Sequence, residues 1–104
     1  MSFTTADLTA QDNYSDWIAP TEQTIPGVAP MGFLDLVISG TWAGTITVQK
    51  RFTSAGTNSA AYDVEDYSAN QSLLIEDHAT NVEYRVGFKS GAFTSGTASI
   101  RLEQ

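Results

Sequence analysis

Apolar and polar residues alternate along three separate segments of this chain, residues 44–52, 82–88 and 97–103. In 82–88, for example, Val82, Tyr84, Val86 and Phe88 point one way, while the residues between them are charged or glycine. A period of two is the period of a β-strand, whose successive side chains point to opposite faces. One solvent-exposed face and one apolar, buried face are typical of antiparallel sheets, so the pattern predicts an all-β, antiparallel fold.

Four further segments complete the predicted set of strands. Residues 33–38 are apolar on nearly both faces, which predicts a central strand, and residues 61–67 and 71–76 predict two shorter ones. A weaker pattern covers residues 4–9. About six to eight short strands at this spacing favour a β-sandwich, Ig-like or jelly-roll-like, formed by one domain spanning residues 1–104.

Glycine-containing pairs separate the predicted strands and are interpreted as turns: Ser39-Gly40, Ala43-Gly44, Ser90-Gly91 and Ser95-Gly96. The inner faces of the sandwich should then carry one set of apolar side chains. That predicted core comprises Phe33 or Leu34, with Leu36, Ile38, Ile46, Val48, Leu74, Val82, Tyr84, Val86, Ile100 and Leu102.

Residues 10–30 lack alternation and contain Pro20, Pro26 and Pro30, which remove three backbone donors. We expect an extended N-terminal segment, a loop or arm with at most a short strand at residues 13–18. Trp17-Ile18 is an apolar pair between polar stretches. Two interpretations stay open: the segment lies on its own sandwich, or it reaches a neighbouring chain.

The charge balance excludes some classes of partner. The 104 residues include 12 acidic and 5 basic side chains, for a net charge of −7. Nucleic acids and anionic membranes are bound by clustered Lys and Arg, so neither is an expected partner. The acidic surface either keeps copies apart in solution or meets a basic surface on a partner. The chain has no cysteine, which excludes disulfides and thiolate chemistry.

The residues that could carry chemistry do not form a recognisable catalytic pattern. His78 is the only histidine and follows Glu76-Asp77 in a polar turn, so we expect an exposed side chain and no enzyme activity. The carboxylates of Asp63, Glu65, Asp66, Glu76 and Asp77 are more consistent with a solvated face than with a catalytic pair. Calcium bound by these oxygens is an open alternative, but no metal-binding motif is present and no cofactor is predicted.

Aromatic residues in loops and at strand ends are the candidate contact residues. Such side chains stack on sugar rings or anchor protein interfaces. The candidate interface residues are Trp17, Ile18, Trp42, Tyr62 and Tyr67.

Four blocks occur in a fixed order: SGTWAGTITVQKRF (39–52), YDVE (62–65), YRVG (84–87) and SGTASIRL (95–102). In this order they resemble small structural proteins of tailed bacteriophages, whose pattern runs SGTxxGTVTLQRSF, WxDVExY, YRxGVxTG and TSGxVxVRLS, with Ala61 here in place of the tryptophan. The resemblance implies a virion protein, made in the host cytoplasm, such as a capsid decoration (cement) protein or an accessory tail or neck component. Its expected partners are other capsid or tail proteins and further copies of itself in a homo-oligomer.

A carbohydrate-binding module displayed on a virion is the alternative function. It would hold a host glycan on two or three exposed, coplanar aromatic side chains. Trp42, Tyr62 and Tyr67 are the candidates for such a platform.

Overall fold

The computed structural model of the chain describes residues 3–23, 31–53, 60–77 and 81–104. All regular structure in these ranges is β-strand, and the strand pairing is antiparallel, as predicted. The strands are joined in one sheet. The seven strands are β1 (Phe3–Leu8), β2 (Asn13–Tyr14), β3 (Thr21–Gln23), β4 (Met31–Phe52), β5 (Tyr62–Tyr67), β6 (Gln71–Asp77) and β7 (Val82–Glu103). The described ranges contain no helix that could cross a membrane.

Two strands are far longer than predicted, because segments predicted as separate strands are continuous. β4 includes both 33–38 and 44–52, and β7 includes both 82–88 and 97–103. The two strands pair from Asp35 opposite Glu103 to Phe52 opposite Val82. A straight strand of 22 residues would span about 73 Å at roughly 3.3 Å per residue. The longest dimension of the molecule is 47 Å, so both strands must bend.

The bends lie at the glycines that were predicted as turns. Four glycines in β4 and β7 have positive φ angles, and the β4–β7 register shifts between Ala43 and Ile46. The prediction of turns at these positions was therefore wrong, because the strands bend there and then continue. The four glycines are Gly40, Gly44, Gly91 and Gly96.

Each outer strand pairs with only one half of β4 or β7, and the halves meet at the bend. β1 pairs with residues 98–103 of β7 and β2 with residues 87–88, while β6 and β5 pair with the first and second halves of β4. The bend therefore separates two layers. The first layer contains β1, β6 and the adjoining halves of β4 and β7, and the second contains β2, β5 and the other halves.

One core lies between the layers, because the apolar residues of both form a single buried cluster. Most of the predicted core is confirmed, with Leu34 rather than Phe33 as its first member. Leu74 was wrongly assigned: it is 48% exposed and lies opposite the exposed Asp35, while its neighbours Leu73 and Ile75 pack on the core. Among the described residues, the prediction did not include four buried apolar residues, which are Leu8, Ile18, Phe88 and Ala98.

Polar contacts also join the two layers at one end of the core. The ammonium of Lys50 in the second layer lies 2.5 Å from the carboxylate of Asp77 in the first. Tyr84, which is 3% exposed, donates its hydroxyl hydrogen to the same carboxylate. Burial, and then the hydrogen bond to Asp77, raise the pKa of Tyr84 well above its ordinary value of 10.0.

We expect Tyr84 to make stability fall in alkaline solution. A raised pKa in the folded state gives stability that is complete below pH 10 and is lost as the pH rises through the folded pKa. Tyrosinate absorbance near 295 nm should therefore show one late step that coincides with unfolding. Tyr84→Phe should remove this step and Tyr62→Phe, at an exposed tyrosine, should keep it; a late step that survives in Tyr84→Phe would contradict the assignment.

The described part of the 10–30 segment lies on its own sheet. β2 and an isolated bridge between Ile18 and Tyr84 extend the second layer, and β3 pairs with residues 31–33 at the start of β4. Pro26 and Pro30 lie outside the described residues.

Candidate functional site

The structure separates the side chains of the predicted Trp17-Ile18 pair. Ile18 is buried in the core, where its backbone exchanges two hydrogen bonds with Tyr84. Trp17 is half-buried on the outer face of the second layer and lies over two arginines. Its ring centroid is 4.3 Å from the guanidinium carbon of Arg51 and 4.7 Å from that of Arg85.

The other three predicted interface residues do not form one platform. Trp42 lies at the bend, half-buried in a T-shaped contact with the Phe88 ring, and its indole N–H donates to the side-chain oxygen of Asn70. Tyr67 packs partly on the core, and burial raises its pKa, with a further contribution from Glu65. Tyr62 is 44% exposed, with its ring 6.1 Å from that of Phe52.

Arg85 is held between aromatic side chains at the centre of the outer face of the second layer. Its guanidinium carbon lies 3.9 Å from the centroid of the Tyr14 ring on β2. On the other side of β7, the side-chain oxygen of Gln49 on β4 accepts the Arg85 Nε–H at 2.9 Å. We call Arg85, Tyr14, Trp17 and Gln49 the arginine clamp. Stacking on aromatic rings fixes a guanidinium while leaving its terminal amino groups able to donate.

Gly87 makes this arrangement possible. It lies opposite Tyr14, and a Cβ atom at this position would come within 2.5 Å of the Tyr14 ring and 2.3 Å of the Asn13 carbonyl oxygen. Any side chain at residue 87 would push Tyr14 away from the sheet and from Arg85.

Arg85 differs from every other cation of the chain. All five lysines and arginines lie in the described ranges, and four of them form ion pairs: Lys50 with Asp77, Arg51 with Glu83, Lys89 with Asp63, and Arg101 with Glu103. No carboxylate among the described side chains pairs with Arg85, whose terminal amino groups donate no hydrogen bond there. Partial burial, with a smaller effect of Arg51, lowers its pKa, and Tyr14 partly offsets this.

A second feature is the edge formed by β5 and β6, which we call the acidic edge. Both strands pair with β4, and among the described strands neither has a partner on its other side. Residues 62–66 are all exposed, and Val64 forms a β-bulge opposite Val48 and Gln49. Val64 is 47% and Leu74 48% exposed, so apolar side chains lie along an open edge.

The five carboxylates considered for catalysis or calcium all lie on this edge. Asp63 binds Lys89 and Gln49, which lower its pKa, and Asp77 binds Lys50 and Tyr84. Asp66 accepts a hydrogen bond from Thr47, while Glu65 and Glu76 are exposed. In the described ranges, no three metal-ligating side chains are grouped closely enough to share an ion. His78 lies outside those ranges.

An open groove of about 370 Å³ adjoins the arginine clamp at Trp17. Phe3 adds a second aromatic ring, and Thr4, Asp16 and Gln104 contribute polar groups to its walls.

Comparisons of the chain with known protein families, with curated proteins and with solved structures find no match. The sequence did not identify Arg85 as a site residue. The available signal was the outward position of Arg51 and Arg85 on two alternating strands, but only the pairing of the strands shows which arginine has a carboxylate partner.

Proposed function

We propose that this chain is a non-catalytic structural protein of a tailed-bacteriophage virion, which acts by assembling with other protein chains. A capsid decoration protein and an accessory tail or neck component are the two forms of this role. The observation that supports it best is the acidic edge, where exposed apolar side chains lie beside backbone groups that have no strand partner among the described residues.

An open sheet edge with apolar side chains is a template for association. Unpaired N–H and C=O groups accept a further strand, and charges or bulges on such edges limit the pairing of identical edges. This chain has both protections, in Glu65 and Asp66 and in the bulge at Val64. Like charges oppose pairing of two identical acidic edges, so the edge is suited to a different surface. The resemblance of residues 39–102 to phage structural proteins supports placing that surface in a virion.

The proposal predicts that a lysine on the acidic edge prevents incorporation into particles. Val64→Lys replaces an exposed apolar contact by an ammonium, which would be desolvated in an interface. Loss of a contact of this size costs about 2 kcal/mol, or roughly 30-fold in affinity. Wild-type and Val64→Lys proteins, produced in cells that make the phage, should therefore differ by at least about tenfold in the amount retained on gradient-purified particles.

Thr97→Lys is the matched control, because Thr97 is an exposed strand residue in β7, which pairs with neither β5 nor β6. It should be retained like the wild type. Equal retention of Val64→Lys, with the protein folded, would remove the acidic edge from the proposed function.

Carbohydrate binding is the second candidate, and the groove beside Trp17 favours it. Aromatic rings that stack on sugars, together with polar groups such as a carboxylate or an amide that bind hydroxyls, are typical of such sites, and Trp17, Phe3, Asp16 and Gln104 supply them here. A glycan array distinguishes the candidates: binding that is lost in Phe3→Ala, while Val64→Lys leaves it unchanged, would support the groove. No binding to any glycan would leave assembly as the function.

A further inference from the structure

The arginine clamp presents a cation that the described part of the molecule does not satisfy. Arg85 donates only its Nε–H, to Gln49, and its two terminal amino groups have no acceptor among the described side chains. A guanidinium binds a carboxylate through two parallel hydrogen bonds, and such bidentate pairs are among the strongest polar contacts in proteins. Tyr14 and Trp17 hold the group in one place, which lowers the entropy lost when a carboxylate binds.

No carboxylate among the described side chains of the same molecule fills this position. Across the sheet, Arg85 lies opposite Gln49 of β4, and Gln49 lies opposite Asp63 of β5. Two strand spacings therefore separate Arg85 from its own β5, a distance of about 10 Å. Asp63 is already held by Lys89 and Gln49, and the carboxylate nearest along β7, Glu83, is held by Arg51.

Carboxylates with no cation partner among the described side chains do occur on the acidic edge. Glu65 and Asp66 are exposed on β5, and neither forms an ion pair there. Among its described side chains, each copy of the chain thus carries one cation without a carboxylate partner on the face of the second layer and carboxylates without a cation partner at the edge of the same layer. The two features are complementary in charge and lie at different places on the surface.

We infer that the arginine clamp of one copy binds the β5 carboxylates, Glu65 and Asp66, of a second copy. The contact joins two different surfaces, so it is head-to-tail and produces a ring where the rotation between copies closes. This inference rests on the proposed assembly function and names the surfaces that copies use for each other. It also explains how an acidic edge, which repels its own equivalent, takes part in a homo-oligomer.

Mixing two defective variants tests the contact. Arg85→Gln lacks the clamp and keeps the acidic edge, while the double variant Glu65→Gln, Asp66→Asn lacks the carboxylates and keeps the clamp. In sedimentation velocity at about 50 mM salt, wild type should associate more as its concentration rises, and each variant alone should associate at least tenfold more weakly. An equimolar mixture should form a 1:1 complex and nothing larger, because it has one intact contact.

Two controls separate this contact from general effects of charge and folding. Lys89→Gln removes a cation of the same strand that is already paired with Asp63, so it should associate like wild type. Arg85→Lys keeps the charge without the bidentate geometry, so its self-association should be weaker than that of wild type and stronger than that of Arg85→Gln. Melting temperatures of all variants identify any that fail to fold.

Three results would overturn the inference: wild type that is monomeric at every concentration, Lys89→Gln as defective as Arg85→Gln, or a mixture of two folded variants that does not associate. Monomeric wild type whose retention on phage particles still requires Arg85 would assign the clamp to another virion protein. That result would overturn self-association and leave the proposed function standing.

Discussion

Val86→Asp should abolish soluble folding. Val86 has no exposed surface and lies opposite Val48, with Tyr84 and Phe88 on the same face of β7. An unpaired carboxylate, or the same group forced to take up a proton, costs several kcal/mol at such a position. The whole stability of a domain of this size is about 5–15 kcal/mol, so most of it would be lost. Soluble yield, far-UV circular dichroism and thermal unfolding measure the effect.

Val64→Asp is the matched control, because it makes the same substitution at a strand position that is 47% exposed. Its cost should stay within about 0.5 kcal/mol, as is usual for exposed positions. A soluble Val86→Asp protein that melts like wild type would show that the buried face of β7 has been assigned incorrectly.

Gly96→Ala should cause the second large loss, because it blocks the bend between the layers. Gly96 has a φ of +88°, and a Cβ atom there would lie 2.2 Å from the Thr41 carbonyl oxygen and 2.7 Å from the Trp42 Cα. Both are backbone atoms of the paired strand, so neither can move without opening the β4–β7 ladder. We expect a loss of about 3 kcal/mol or more, which lowers the melting temperature of a 100-residue domain by about 12 °C or more.

Gly91→Ala separates the cost of the positive φ angle from the cost of the steric contact with the paired strand. Gly91 also has a positive φ, of +76°, but a Cβ atom there would have no neighbour within 4 Å. It should lose only the conformational term, about 1 kcal/mol. Equal losses in the two variants would mean that close approach of the strands at Gly96 does not determine the bend.

The alternating pattern was sufficient to predict the strands and most of the buried face. Val82, Tyr84 and Val86 are inside because their polar neighbours leave one possible orientation. Leu74 was assigned incorrectly because Leu73, Leu74 and Ile75 are all apolar, so the local pattern does not choose a face. The choice depends on register, which places Leu74 opposite the exposed Asp35.

The long bent strands could not be predicted from local sequence. A Ser-Gly pair is compatible with a turn and with a bend, and the difference lies in whether the partner strand continues beside it. Gly40 and Gly96 both have positive φ within the paired stretch of β4 and β7, which is a property of the tertiary structure.

For a similar reason, the sequence predicted only part of the candidate site. Trp17 was selected as an apolar residue in a polar segment, and the structure places it over Arg51 and Arg85. The importance of Arg85 depends on its having no carboxylate partner among the described side chains. Such a property involves every neighbouring strand and cannot be read from the residues around Arg85.

The proposed virion role depends first on the wild-type arm of the particle experiment. Quantitative mass spectrometry of gradient-purified particles measures whether this chain is a component of the virion and in how many copies. A structural protein of the virion should be present at a fixed ratio to the major capsid or tail protein, and repeated gradients should not change that ratio. Absence of the chain from particles, while the producing cells contain it in folded form, would contradict a structural role in the virion.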